Sequence, residues 1–419
     1  MERWIVPVAV AATAAVVVAA TWMDARVPRP APARAAAVAS TTRADLARTI
    51  DDMRGRLAAR PEDAEAVVRL ADALLRMQRV AGDGSLAVEA EARLRAFLSR
   101  VPDHYDARRM LGPVLLAQHR FRDALREAER ARAVDPADAY NYGVIGDASL
   151  ELGDYDRAFE AFDTMGRLKP GPAAYARVAY AFELRGDLDE ALRHMRMAAE
   201  ATSAHDAEGQ AWHYAQLGAL LLQMGRLGDA RLEFERAAYT FPSHPYALLG
   251  LARVKLAEGD HPAARALVER MHREAPTPET AALLGDLAAR AGDRAAAEAR
   301  YDEAERLERE GWDTEEPQPQ ALARFLAERH RHIPEAVRLA EAAASRRRDI
   351  HTMDALALAY FRAGRLDDAR RAADEALRTG TVDARILHHA AAISEARGEG
   401  ELAARLRARM RTPCFDCQG

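Results

Sequence analysis

An alanine returns ten times between residues 90 and 403, at positions 90, 124, 158, 191, 230, 264, 297, 336, 369 and 403. The intervals are 34, 34, 33, 39, 34, 33, 39, 33 and 34 residues, a period that marks a repeated supersecondary unit. Such a unit is too short to bury its own apolar face, so neighbouring copies have to stack on one another. The punctuation is in phase with the alanines. Gly153, Gly186, Gly225, Gly259, Gly292, Gly364 and Gly398 fall where the chain must turn, and glycine takes a positive φ at little cost. Pro102, Pro136, Pro170, Pro242 and Pro276 close units, because proline cannot extend the helix before it.

The clearest copy spans 211–242, where Tyr214, Leu217, Gly218, Leu221, Ala230, Phe234, Ala237 and Pro242 fit the pattern W-x2-L-G-x2-Y…A-x3-F…A…P. Tyr142, Ile145, Gly146, Tyr155, Ala158, Phe162 and Pro170 repeat it two units up the chain, and Leu248, Leu251, Ala252, Ala264, Val268, Met271 and Pro276 one unit down. These residues resemble the tetratricopeptide repeat. The resemblance implies an all-α, right-handed superhelical solenoid of about ten helix pairs, each touching only its neighbours. It also implies that the first helix of each unit lines a concave groove through offsets two, five, nine, twelve and thirteen, while offsets four, seven, eight and eleven pack inward.

Composition agrees with an all-helical chain. Hydrophobic residues make up 49% of the sequence but aromatics only 6%, so the cores must be built from alanine, leucine and valine. No hairpin dipeptide sits between alternating segments. The net charge of −5 gives no basic footprint for nucleic acid, although lysine occurs only at Lys169 and Lys255 and the other basic residues are arginine.

Residues 1–23 read as a membrane anchor or signal segment. The 20 residues from Trp4 to Met23 carry no charge, enough as a helix to span the hydrocarbon of a bilayer, with Trp4 and Trp22 at interfacial positions. Arg3 before the apolar run and the small residues Val18, Ala19 and Ala20 also suit a cleaved secretory signal. Arg26, Arg29 and Arg34 outnumber Arg3, which by the positive-inside rule favours a cytoplasmic array. The proline- and alanine-rich spacer at 24–40 instead favours an envelope protein with periplasmic repeats. At 41–60 an amphipathic stretch with Leu46, Ile50, Met53 and Leu57 on one face reads as a capping helix. The array is assigned to 61–411 and a tail to 412–419.

Three irregularities stand out. The first repeat has a long first helix and a turn expanded around Gly82, Asp83 and Gly84, and Pro113 after Gly112 predicts a kink. The longer spacings after Ala191 and Ala297 insert residues around 202–209 and 311–320, as partner-reading loops or as surface insertions that the fold tolerates.

Catalytic signatures are missing: there is no G-x-x-x-x-G-K-[ST], G-x-S-x-G, H-E-x-x-H or G-x-G-x-x-G, which argues against an enzyme. His330 and His332 in a turn, and the adjacent His388 and His389, lack the i, i+4 spacing of helical metal ligands. No cofactor and no small-molecule substrate are expected. Cys414 and Cys417, the only cysteines, form a C-x-x-C pair. That spacing suits a metal half-site, a redox pair or a tail disulfide. It resembles one of the two pairs that end a membrane-anchored tetratricopeptide assembly factor of lipopolysaccharide synthesis. The leading expectation is a protein-binding scaffold at the bacterial envelope. A metal- or redox-responsive assembly factor and an accessory subunit of an enzyme complex are the alternatives.

The resemblance places the partner site on the groove. Offset two holds Asp106, Tyr140, Ala173, Trp212, Tyr246, Glu279 and His351, and offset nine holds Pro113, Asp147, Tyr180, Ala219, Arg253, Asp286 and Leu358. Tyr140, Tyr180, Trp212 and Tyr246, flanked by Arg109 and Arg253, are the expected partner-binding residues, since aromatics and arginine dominate interface hot spots. The same rings would also serve as packing across the seams between repeats. Receptors for acidic chaperone C-termini share the fold but use an asparagine at offset nine with nearby lysines, which this chain lacks.

Overall fold

The computed structural model describes residues 42–310, 319–412 and 414, and all regular structure among them is helical. Helix α1 (Arg43–Ala59) precedes ten consecutive helix pairs. The first five are α2 (Ala64–Ala81) with α3 (Ser85–Leu98), α4 (Tyr105–Ala117) with α5 (Phe121–Val134), α6 (Ala139–Leu152) with α7 (Tyr155–Leu168), α8 (Pro172–Leu184) with α9 (Leu188–Ala201), and α10 (Ala207–Gln223) with α11 (Leu227–Thr240). The others are α12 (Pro245–Ala257) with α13 (His261–Glu274), α14 (Pro278–Arg290) with α15 (Arg294–Glu310), α16 (Pro319–Glu328) with α17 (Ile333–Arg346), α18 (Ile350–Arg362) with α19 (Leu366–Ala376), and α20 (Ala384–Ala396) with α21 (Gly400–Arg409). None of these helices is long and apolar enough to cross a membrane. The apolar run at 4–23, the spacer at 24–40 and most of the second insertion, at 311–318, lie outside the described residues.

The periodic alanines hold the second helix of each pair against the first. All ten are 0 to 3% exposed, so each second helix approaches its partner closely at that point. The aromatic four residues later fills the space that a glycine leaves on the facing helix. A Cβ on Gly146 would stand 2.3 Å from the Phe162 ring, and one on Gly285 2.4 Å from Tyr301. Phe234 uses two such spaces, beneath Gly218 of its own pair and Gly250 of the next, where added Cβ atoms would meet it at 2.8 and 2.1 Å. Ala230→Leu is therefore expected to cost about 1–3 kcal/mol, and Arg231→Leu next to it within about 0.5 kcal/mol. Equal thermal melting of the two variants would put the repeat phase in error.

Helix α1 buries Leu46, Ile50, Met53 and Leu57 and starts at a capping box between Thr42 and Asp45. Helix α4 runs through Pro113 as one continuous helix of 13 residues. The seven turn glycines have φ between 74° and 86°. Two turns break the pattern: His119 and His330 stand one period from Gly153 and Gly364 and take the left-handed conformation with φ of 59° and 54°.

Two expectations are corrected. The insertion near 202–209 is more than a surface loop, although residues 203–205 form an exposed turn. Its last residues lengthen α10 by about a turn, to 17 residues, and Thr202, Ala207 and Glu208 are buried, Glu208 completely. Nor do the units touch only their neighbours, because the array returns on itself. Arg79 donates to both carboxylate oxygens of Glu208 at 3.0 and 2.7 Å, Arg76 Nε lies 3.5 Å from the same group, and Arg76 also pairs with Asp206. These contacts join α2 to the added turn of α10 across 129 residues.

Later turns dock on earlier ones across longer separations. The Tyr155 hydroxyl accepts from the Ile350 amide at 2.8 Å, Arg348 N–H donates to the Leu152 carbonyl at 3.3 Å, and Arg378 donates to the Gly153 carbonyl at 2.8 Å. A Cβ on Gly153 would lie 2.6 Å from the Arg348 carbonyl, and one on Gly186 2.7 Å from that of Gly380. These two glycines thus serve a close backbone approach as well as a positive φ.

Candidate functional site

The return of the last pairs brings α20 opposite the first helices of the middle repeats, and two adjoining clefts lie between them. The larger, of about 320 Å3, is lined by Glu183 of α8, by Ala215, Gln216, Ala219, Leu222 and Gln223 of α10, by Tyr246, Leu249 and Arg253 of α12, and by Asp383 and Arg385 at the start of α20. The smaller, of about 250 Å3, continues past Arg253 and Arg385 to Glu279, Ala282 and Asp286 of α14 and to Arg324, Phe325 and Glu328 of α16. Counting from Ala211 as one, the α10 residues are offsets five, six, nine, twelve and thirteen. The wall of the cleft is therefore mostly the set of positions that the repeat resemblance assigns to the groove.

The polar groups of the smaller cleft are largely paired. Arg253 donates to Glu279 at 2.9 Å. Arg329 donates to Asp286 at 2.7 Å, and the Tyr301 hydroxyl donates to the same carboxylate at 2.9 Å. Arg324 lies 3.7 Å from Glu328, and Arg385 Nε 3.6 Å from Asp354. The like charge of Arg385, and then burial, lower the Arg324 pKa below its ordinary value. Asp354 is 2% exposed and carries His389 Nδ1 at 2.9 Å, which ties α18 to α20.

Across the larger cleft, burial and then the charge of Asp383 push the Glu183 carboxyl up to about 7 from an ordinary 4.5. A carboxyl raised in the folded state binds its proton more tightly there than in the unfolded chain. Its contribution to stability is thus full below about 4.5 and falls as the pH rises toward about 7, beyond which it no longer changes. The thermal midpoint should decline over that window, and Glu183→Gln should flatten the decline. An identical slope in the variant would assign the dependence to other groups.

Of the residues expected in the groove, Tyr246 and Arg253 line the cleft, and Tyr246 is 47% exposed. The other four are placed elsewhere. Arg109 covers the Tyr140 ring at 4.7 Å and donates to Asp138 at 2.9 Å. Tyr140 is half-buried against the apolar cluster of the first repeats, and Tyr180 against the one shared with α18 and α20. Trp212 belongs to the cluster that includes Leu46 of α1 and Val80 of α2, with His213 edge-on at 5.1 Å. For these three rings seam packing describes the surroundings, whereas Tyr246 lines the cleft.

Sequence reasoning passed over Glu183, Arg324, Phe325 and Arg385. Their offsets were available, but their convergence depends on contacts across the array that a repeat period does not encode. Cys414 is disulfide-bonded and lines the larger cleft, while Cys417 lies outside the described residues. Among the described residues no three histidine, cysteine or carboxylate side chains converge as metal ligands would.

Tetratricopeptide-repeat family models match residues 109–171 and 221–287. With the paired helices and the phase of alanine, glycine and aromatic residues, they establish the class: the chain is a tetratricopeptide-repeat protein. No curated protein matches the sequence. Among solved structures, the human IFIT1 dimer with m7Gppp-AAAA is similar over 79% of this chain and 76% of its own, at 16% identity and a TM-score of 0.52. Yeast Tom70 is similar over 88% of this chain and 87% of its own, at 17% identity and a TM-score of 0.44. Pseudomonas aeruginosa pilF is similar over 48% of this chain and 91% of its own, at 18% identity and a TM-score of 0.41. At these identities the similarity concerns the fold alone.

Proposed function

We propose that this protein is a non-enzymatic scaffold that binds a partner peptide or protein in the inner cleft between α10, α12 and α20, and that residues 4–23 hold it at the bacterial envelope. The observation that carries the reading is the cleft itself: an apolar floor of Leu222, Tyr246 and Leu249 beside a polar end with Arg253 and Arg385, built from groove positions of the repeat. A preformed groove of this kind takes an extended or helical segment at little ordering cost to the scaffold. The uncharged 20-residue run supports membrane attachment, and the proline-rich spacer after it supports a periplasmic array.

The test is affinity capture from detergent-solubilised membranes with the full chain as bait, together with fractionation of the cells. The expected result is a membrane-associated bait with a reproducible protein partner that Tyr246→Ala releases. A chain found only in the soluble fraction defeats the anchor. A partner retained in full by Tyr246→Ala defeats the cleft.

A further inference from the structure

Arg324 projects from α16 into the wall of the smaller cleft, where its side chain is 34% exposed. Among the described residues its guanidinium donates no hydrogen bond, and its one ion pair is with Glu328, four residues on in the same helix, at 3.7 Å. That carboxylate has a closer cation in Arg329, at 2.9 Å. Two more acidic groups of the wall are held in the same way: Glu279 accepts from Arg253 at 2.9 Å, and Asp286 from Arg329 at 2.7 Å. Glu308, the fourth, makes no ion pair among the described residues, and burial raises its carboxyl above the ordinary range. Arg385 lines the same cleft from α20, and its like charge disfavours the Arg324 cation.

A guanidinium carries five N–H donors in a planar fork. Holding that fork in a cleft of about 250 Å3, with no protein acceptor and with a second cation near it, is costly until an anion completes the pair. A carboxylate suits the place, because its two oxygens match the fork. Its single charge also meets less repulsion than a dianion would from a wall that already carries Glu279, Asp286, Glu308 and Glu328.

We infer that the smaller cleft is a carboxylate subsite, in which Arg324 and Arg385 hold the side chain of an aspartate or glutamate of the partner segment. The inference rests on the partner lying in the larger cleft, which shares Arg253 and Arg385 with the smaller one. A segment that follows both clefts passes from α8 to α16 and presents side chains, not its end, to Arg324. The segment selected in this way carries an apolar residue for the floor of Leu222, Tyr246 and Leu249, and an acidic residue beyond it.

The probe is N-acetyl-aspartate N-methylamide, with the asparagine analogue as its uncharged counterpart, and the readout is thermal melting of the full chain at constant ionic strength. The aspartate probe should raise the midpoint saturably, and the asparagine analogue should not. Arg324→Gln should weaken half-saturation at least about tenfold, as the loss of a charge-assisted hydrogen bond does. No saturable rise, or equal half-saturation in the variant, overturns the inference. Inorganic phosphate bound more tightly than the aspartate probe also overturns it, in favour of a phosphorylated segment.

A second measurement needs no probe. Arg324→Gln alone should raise the thermal midpoint, because it removes a cation from beside Arg385 and gives up only a weak pair with Glu328. A fall in the midpoint would mean that the fold already compensates this guanidinium, and it overturns the inference. A captured partner that ignores Tyr246→Ala while the aspartate probe still discriminates would defeat the partner site alone and leave the carboxylate subsite standing.

Discussion

Phe234→Ala is expected to lower stability by about 3–5 kcal/mol, the range for emptying a buried aromatic site whose surroundings cannot collapse. Phe234 is 2% exposed, and Gly218 and Gly250, the residues it packs beneath, have no side chains to move into the gap. The loss falls on two repeats at once, the one that owns the ring and the one that follows. Since stability in an array is nearly a sum of repeat and interface terms, denaturant unfolding should also become broader. A variant melting within about 1 kcal/mol of the unaltered protein would mean that neighbouring repeats do not depend on this aromatic.

The second large effect is expected where the array closes on itself. Arg76→Leu combined with Arg79→Leu leaves the fully buried Glu208 carboxylate with neither of the two cations that now compensate it, at a cost of about 3 kcal/mol. Adding Glu208→Leu should recover most of that loss, because an apolar residue in the same place has no charge to compensate. The sign of the third substitution is the diagnostic part. If it destabilises further, the contact between α2 and α10 is held by the shape of the inserted turn and not by its ion pairs. The cycle also distinguishes a docked first repeat from one held only by its chain neighbours.

Much of the fold is legible in the sequence because the constraints are local and recur. An alanine at each crossing, a glycine at each turn and an aromatic four residues after the alanine are needed within one pair, so a period of about 34 residues exposes all of them. The buried face of α1 is legible for the same reason, since Leu46, Ile50, Met53 and Leu57 repeat at helical spacing. The local signal also hides some roles. His119 and His330 take the place of turn glycines, and neither residue type announces a positive φ.

The site is only half legible. Tyr246 and Arg253 could be placed by offset, because groove positions follow from the helix phase of a single repeat. Trp212 sits at the same offset as Tyr246, but it packs on the cluster of α8–α12, to which Leu46 of α1 and Val80 of α2 are added where α2 docks on α10. That docking depends on Arg76, Arg79 and Glu208, and on a 39-residue interval that reads from sequence as a mere insertion. Arg324 and Arg385 meet across 61 positions of the chain for the same kind of reason. Contacts between non-neighbouring units leave no period behind them.

The central claim is that a partner docks between α10, α12 and α20, and calorimetric titration of the captured partner tests it most directly. Tyr246→Ala combined with Arg253→Ala should weaken binding by about 2 kcal/mol or more, roughly thirtyfold, while helicity and the thermal midpoint stay nearly unchanged. Both residues lie on the cleft wall and are partly exposed, so truncating them removes contact surface without opening the core. Unchanged affinity in a variant of unchanged stability would contradict the account and move the partner off the inner cleft.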